Sequence, residues 1–326
     1  MKWIETDRAL APQGCAVPLQ QHGLYGLACA SLGTGVRHFQ LRLGGDLAGT
    51  ALVLVRRWPL VGDIALLSRG PVWAGGVSAD TRAAGTKALI RQLRGGLRGV
   101  ICTPDRNGRP DPLDGSDLLP MVTPGHIAQL DLSASRDDRR ARLHGKWRNR
   151  LVRAEAAGMT VRQAPLPQDA DHWLLLEEAA QARARGYRRL PRAFTHAWAA
   201  LGGRDATRLF TAHAGGAPVA AMLFLRHGDM ASYHIGWCGA EGRRLNAHNL
   251  LLWQASDWLA RKGHCLLELG SLDTEGAPGL ARFKLGSGAD AVPLGATWLD
   301  APGTRVVAQL ARRRPTPDYA SSSASQ

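Results

Sequence analysis

The stretch from 206 to 238 leaves this chain few folds to choose from. Three runs of strand-forming residues, 206–213, 217–226 and 230–238, are separated only by Ala214-Gly215-Gly216 and His227-Gly228-Asp229. Connections so short make neighbouring strands antiparallel, because a parallel return needs a crossover of about a dozen residues. The middle run is apolar almost throughout, as a strand covered on both faces would be. The third alternates Tyr233, Ile235 and Trp237 against Ser232, His234 and Gly236, which gives it one polar face. A three-stranded meander is therefore expected at the heart of a sheet.

The flanking segments extend that order. A short strand is expected at 159–162, followed by a helix at 171–185 with Leu174, Leu175, Glu178 and Ala182 at helical spacing. Pro191 opens a second helix that Gly202-Gly203 ends. After the meander a helix starts at Asn246, a plausible N-cap, buries Leu251, Leu252, Ala255 and Leu259, and stops before Gly263. A strand at 264–269, a short helix at 278–284 and a strand at 291–299 complete the order β, α, α, β, β, β, α, β, α, β. The first part repeats the order without residue-level repetition: a helix at 18–32, strands at 36–43, 48–57 and 64–68, a helix at 79–97 and a strand at 99–103. The fold class expected is α/β (α+β), with two tandem domains, each a mixed, mostly antiparallel sheet flanked by helices. Their expected bounds are 1–133 and 134–310, with 311–326, which is Ser-rich, as a disordered tail. The Pro- and Asp-rich segment 103–124 reads as a long loop.

Composition narrows the function classes. No apolar run approaches the ~20 residues of a membrane span, and the first residues lack a basic start followed by an apolar stretch, so a cytoplasmic location is expected. The five cysteines are odd in number and widely spaced, and the eleven histidines form no ligand-spaced cluster; neither disulfides nor a metal are expected. The net charge of +14 suggests nucleic acid, yet only five of the 41 basic residues are Lys. Arg bias of that kind, with abundant Ala and Gly, follows from a GC-rich genome, which discounts the charge as evidence. Its distribution is more informative, since 1–135 carries 14 basic and 10 acidic residues and 136–326 carries 27 and 17.

Two basic constellations stand out in that second part. Glu241-Gly242-Arg243-Arg244 leads into the helix starting at Asn246, and free backbone N–H groups, helix dipole and two guanidinium groups at one spot suit a phosphate. Upstream, Arg139, Arg142, Lys146, Arg150 and Arg153 recur at three and four residues beside the apolar stripe Leu143, Trp147, Leu151. Such a stripe is more often a solvated face than a ligand site.

With these elements in order, the chain resembles the GNAT acyltransferase superfamily, and the stretch from Arg243 to Gly288 resembles its FemAB-like branch. The residues that carry the resemblance are the helix Leu250-Leu251-Leu252-Trp253 ending at Gly263, the strand closing as Glu268-Leu269-Gly270, Phe283-Lys284 before Gly286, and Lys146-Trp147-Arg148-Asn149-Arg150 before Gly158. The resemblance implies two tandem GNAT-like domains, the donor site in the second, and N-acyl transfer from acyl-CoA (acetyl-CoA) to an amine of a small molecule or cell-envelope precursor. Arg243, Arg244 and Asn246 would hold the donor phosphates, and Phe283 would pack beside the donor. Arg148 and Arg150 would bind substrate. Lys284 would neutralise phosphates or the oxyanion, Glu268 would take the amine's proton with Asp273 as its rival, and Tyr233 would protonate the leaving group. The bland reading of Glu268 is a buried ion pair with an Arg, that of Tyr233 and Phe283 a place in the core. Two alternatives accompany this reading. One is a Fem-type peptidoglycan aminoacyltransferase, since the Fem ligases that build peptidoglycan cross-bridges use aminoacyl-tRNA; the other is a non-catalytic RNA-binding module on the same fold.

Overall fold

The structure is a computed structural model that describes residues 1–312 apart from 13, 107 and 188. Its first half runs β1 (Ile4–Thr6), α1 (Gly23–Ser31), β2 (Gly35–Leu43), β3 (Asp46–Trp58), β4 (Gly62–Ser68), β5 (Val72–Trp73), α2 (Ala79–Arg94), β6 (Gly99–Thr103), β7 (Leu119–Val122) and β8 (His126–Asp131). The second half begins with α3 (Arg136–Ala141), α4 (Gly145–Ala156), β9 (Thr160–Ala164), α5 (Trp173–Arg185) and α6 (Arg192–Gly202). The meander follows as β10 (Thr207–Ala214), β11 (Ala217–His227) and β12 (Met230–Cys238), then α7 (Ala240–Arg244), α8 (Ala247–Arg261) and β13 (Leu266–Leu272). The last elements are α9 (Pro278–Gly286), β14 (Asp290–Pro293), β15 (Thr297–Asp300) and α10 (Thr304–Arg312).

These strands make two sheets flanked by helices. One has the order β1-β2-β3-β4-β6-β15-β7, with β5 on β3, and the other the order β14-β8-β13-β12-β11-β10-β9. The expected meander is the antiparallel run β10-β11-β12, and β11 is buried on both faces from Val219 to Leu225. One face of this sheet packs Phe210, Met222, Phe224 and Leu267 against Trp147 of α4 and Leu251 and Leu259 of α8. The other packs Leu209, Leu223 and Ile235 against Leu174 and Leu175 of α5. Glu178 and Ala182 share that buried side of α5, as the helical spacing implied.

The sheets exchange strands across the expected domain boundary at 133. β8 precedes it and joins the second sheet between β13 and β14, while β15 follows most of the second domain and joins the first sheet between β6 and β7. The single strand expected at 291–299 is therefore two strands in different sheets. Gly295 makes the crossing: its N–H donates to Pro104 O, and a Cβ there would lie 2.7 Å from Pro104 Cγ and 2.8 Å from Asp111 Oδ2. The adjacent Ala296 N–H and Trp298 Nε1 both donate to that same Asp111 oxygen, at 2.7 and 3.2 Å. A third cluster joins the domains, with Leu19, Ala28, Leu52 and Leu54 against Phe194, Trp198 and Leu225. The segment 103–124, read as a loop, carries β7, and the tail expected from 311 starts inside α10; residues 313–326 lie outside the described residues.

Candidate active site

The second sheet opens at one place. β12 and β13 pair in parallel only from Met230 to Ser232 and from Leu266 to Glu268, and then part. Both strands carry a bulge at that level. On β12, Tyr233 sits opposite Phe224 and Ile235 opposite Leu223, so His234 is the extra residue; on β13, Glu268 and Gly270 sit opposite Gln129 and Ala128, so Leu269 is. A bulge bends a strand and re-aims its side chains, and Gly270 takes the left-handed φ of 82° that the turn on β13 requires. The result is a cleft between the two strands beyond Ser232 and Glu268.

Its floor is a buried ion triad that joins the two domains. Arg69, directly after β4, donates from Nη1 and Nη2 to the two carboxylate oxygens of Glu268 at 3.0 and 2.8 Å. Its Nε and Nη2 also donate to Asp105, just beyond β6, at 2.6 and 2.8 Å. Gln129 Nε2 donates to Glu268 Oε1 at 3.0 Å. Arg69 holds a left-handed φ of 58° and is anchored by its own N–H to Thr103 O. Burial pushes the Asp105 carboxyl above its ordinary range against the pull of Arg69, and the carboxylates together raise the guanidinium above its ordinary value. Glu268 is thus not the free base expected. Both its oxygens accept from partners, Arg69 and Gln129, as its bland reading had it. Its rival Asp273 is also engaged, its Oδ1 accepting from the backbone N–H groups of Glu275 and Gly276.

Lys284 stands on the β13 wall. Helix α9 buries it, and Nζ donates to Ser271 O at 2.7 Å, close to the backbone of Gly270. Desolvation lowers its pKa to about 8, since no carboxylate shares its hydrogen bond. Next to it Phe283, half-buried, lies between Trp147 and His248, with ring centroids 6.1 and 6.2 Å away. Phe283 therefore ties α9 to α4 and to the first turn of α8, where His248 Nε2 donates to Trp237 O at 2.9 Å.

The turn expected to cradle phosphate is built differently. Residues 240–244 form the short helix α7, and Asn246 precedes α8 at a left-handed φ of 56° with no side-chain cap. The two guanidinium groups are used within the turn: Arg243 donates to Cys238 O, and Arg244 pairs with Glu241 at 2.6 Å. Gly242 is obligatory, because a Cβ would lie 2.2 Å from Val219 O. Upstream, Arg148 caps the end of α3 by donating to Ala141 O and Leu143 O, and Arg150 is exposed. Neither lies on an element that forms the cleft.

On the β12 wall, Tyr233 is joined by residues that sequence reasoning had not assigned to a site. The Tyr233 hydroxyl packs against Gly236, where any Cβ would overlap it, and burial holds the phenol well above its ordinary range. Gln181 Nε2 donates to Gly236 O and to the Tyr187 hydroxyl, each at 3.1 Å. That hydroxyl donates to Glu178 Oε1 at 3.4 Å, and Arg189 approaches Glu178 Oε2 at 3.1 Å. Burial raises the Glu178 carboxyl above the usual range. The signal was a glutamate on the apolar stripe of α5. Tyr233 and Glu268 thus lie on the two strands that border the cleft and Lys284 against β13, with Phe283 next to it in α9, while Arg148 and Arg150 lie on α4.

Residues 138–285 match the family model described as "Acetyltransferase (GNAT) domain". Among solved structures the chain is similar to FemX, at 13% identity and a TM-score of 0.70, covering 91% of this chain and 98% of that one. It is also similar to the C-terminal domain of a putative lysylphosphatidylglycerol synthetase from Agrobacterium fabrum (12% identity, TM-score 0.53, 90% and 91% covered). A tandem GNAT protein of the clavulanic acid biosynthesis pathway gives 13% identity and a TM-score of 0.52, with 89% and 90% covered. No curated protein sequence matches the chain. The fold is accordingly a tandem GNAT fold of the FemAB-like kind. The expectation of acyl-CoA as donor and cofactor is corrected by the likeness to FemX, which extends over both domains.

Two outcomes follow from this geometry. Replacing Arg69 by Met leaves two buried carboxylates without a counter-charge and should cost about 3–5 kcal/mol in urea denaturation; a loss no larger than that of a surface substitution would remove the triad as a domain clamp. For Lys284 the folded pKa lies below the unfolded value of 10.5, so the unfolded chain binds the extra proton between pH 8 and 10.5 and native stability rises with pH across that window. Lys284→Met should therefore gain relative to the parent at pH 7 and surrender up to about 3 kcal/mol of that advantage by pH 10.5. A pH-independent difference between the two would show that Lys284 is not desolvated.

Proposed function

We propose that this chain transfers an aminoacyl group from aminoacyl-tRNA to an amine of a cell-envelope precursor. The observation that carries the reading is the correspondence of both domains, in one arrangement, with FemX over 91% of the chain. The cleft supplies what the step needs. The acceptor nitrogen attacks the ester carbonyl carbon, a C–N bond forms, the C–O bond to the terminal ribose breaks, and the amine's proton ends on the ribose oxygen.

Lys284 is mostly an ammonium at neutral pH, because its pKa near 8 still lies above 7. At the bulge of β13 it supports the negative charge that develops on the carbonyl oxygen or on a donor phosphate. Such a preorganised charge, already stripped of water, stabilises the transition state at no further desolvation cost. Tyr233 keeps its proton across the physiological range; it hands that proton to the leaving ribose oxygen and is reprotonated by the amine's, so that the net transfer is from nitrogen to oxygen. Glu268 acts through Arg69, holding the domains at the spacing that leaves the cleft open. Positioning and charge stabilisation do most of the work.

The test is transfer from tRNA charged with labelled amino acids to a muramyl-pentapeptide precursor, followed by mass spectrometry. The product should gain one amino-acid residue, ribonuclease should abolish the gain, and Lys284→Ala should slow it by about 100-fold. Binding of charged tRNA without transfer would leave an RNA-binding module, and full activity of Lys284→Ala would take this lysine out of the mechanism.

A further inference from the structure

The β3–β4 hairpin ends in a turn unlike the others in the molecule. The tight turns at Gly44-Gly45, Gly215-Gly216 and Gly228-Asp229 use glycine at left-handed φ, as the geometry favours. Here the turn is Trp58-Pro59-Leu60-Val61, with Trp58 paired opposite Gly62 and the Val61 N–H donating to Trp58 O. Leu60 itself takes the left-handed conformation, at φ 66°, which a leucine adopts only under strain. Its side chain is 108% exposed, and those of Trp58 and Val61 are 46% and 48% exposed. Four consecutive apolar residues thus stand in water at the end of a rigid hairpin, where glycine or asparagine would be easier to place.

The surroundings of this tip are cationic. Arg56, Arg57 and Arg98 are exposed at its base, with the exposed Asp63 beside them. Arg98 lies across Gly62, its Cγ 2.8 Å from where a Cβ would be, and its N–H donates to Asp63 O. The neighbouring strand ends add a second apolar set. Gly99 at the start of β6 abuts Asp300 and Ala301, and from there α10 departs with Val306, Val307 and Leu310 exposed, beside an Arg305 that pairs with Asp117 and Asp300.

We propose that the Trp58–Val61 tip, with its arginine collar, docks this protein on an anionic lipid bilayer. Apolar side chains enter the boundary between head groups and acyl chains, while guanidinium groups stay level with the phosphates. A protein partner fits less well, because a stable interface needs about 800 Å² per side, and four residues at a hairpin end present a point rather than a patch. The charge complementarity favours negative head groups over a zwitterionic surface. This surface lies on the first sheet and does not depend on the transfer reaction proposed above.

The experiment is co-sedimentation of the full chain with large unilamellar vesicles of equal phosphatidylglycerol and phosphatidylcholine, and with vesicles of phosphatidylcholine alone. The chain should sediment with the anionic vesicles, less so as salt rises, and little with the neutral ones. Leu60→Asp should weaken that binding about tenfold without lowering the melting midpoint, since Asp tolerates the left-handed turn. Arg57→Glu with Arg98→Glu should do the same. The proposal is overturned if anionic vesicles bring down no protein, or if Leu60→Asp sediments as the parent does. A concentration-dependent dimer that Leu60→Asp dissolves, with no vesicle binding, would assign the tip to a protein contact instead.

Discussion

One guanidinium group sets the geometry on which the rest of this structure depends. Arg69 lies between Asp105 of its own domain and Glu268 of the other, buried and bonded to both. Removing such charges from water costs several kcal/mol each, and the cost is offset only when every hydrogen bond is made in good geometry. An arrangement of that kind specifies a relative position: the domains cannot slide without exposing or orphaning a buried charge. The clamp also sits at the level where β12 and β13 part, so the spacing of the cleft and the spacing of the domains are one quantity.

The catalytic reading changes accordingly. A glutamate at the end of a buried strand looked like a base; its oxygens are instead the second half of the clamp. In the proposed reaction the chemistry falls to the two walls, with the desolvated Lys284 on one and Tyr233 on the other, near Gly236 and the network of Gln181, Tyr187 and Glu178. These groups are placed by strand bulges and helix packing rather than by loops, which holds them still before a substrate arrives. The arginines near α8, by contrast, are spent on a carbonyl and a neighbouring carboxylate within their own turn.

Much of this was legible in the residues and some of it was not, for identifiable reasons. The meander, the helices of the second domain and the repeated order of elements all follow from periodicity and short turns, which are local signals. Lys284 and Tyr233 could be named because a resemblance pointed to them and the elements carrying them were clear; their roles belong to the proposed reaction. The partners of Glu268 were not, because Arg69 is 199 residues away and its left-handed backbone has no signature in the sequence. The exchange of β8 and β15 between sheets was equally hidden, since the crossing at Gly295 depends on its close approach to Pro104 and Asp111. Glu178 left a trace, an acid at an apolar position of a helix, whose meaning needed Tyr187 and Arg189 beside it.

The donor is the centre of the account, and thermal unfolding tests it most directly. Melting the purified protein with charged tRNA and, separately, with acetyl-CoA, each at two salt concentrations, compares the two donors on the same fold. The account predicts a higher midpoint with charged tRNA, a smaller rise at the higher salt as phosphate contacts are screened, and no rise with acetyl-CoA. A rise with acetyl-CoA that survives salt, together with none from charged tRNA, would contradict it.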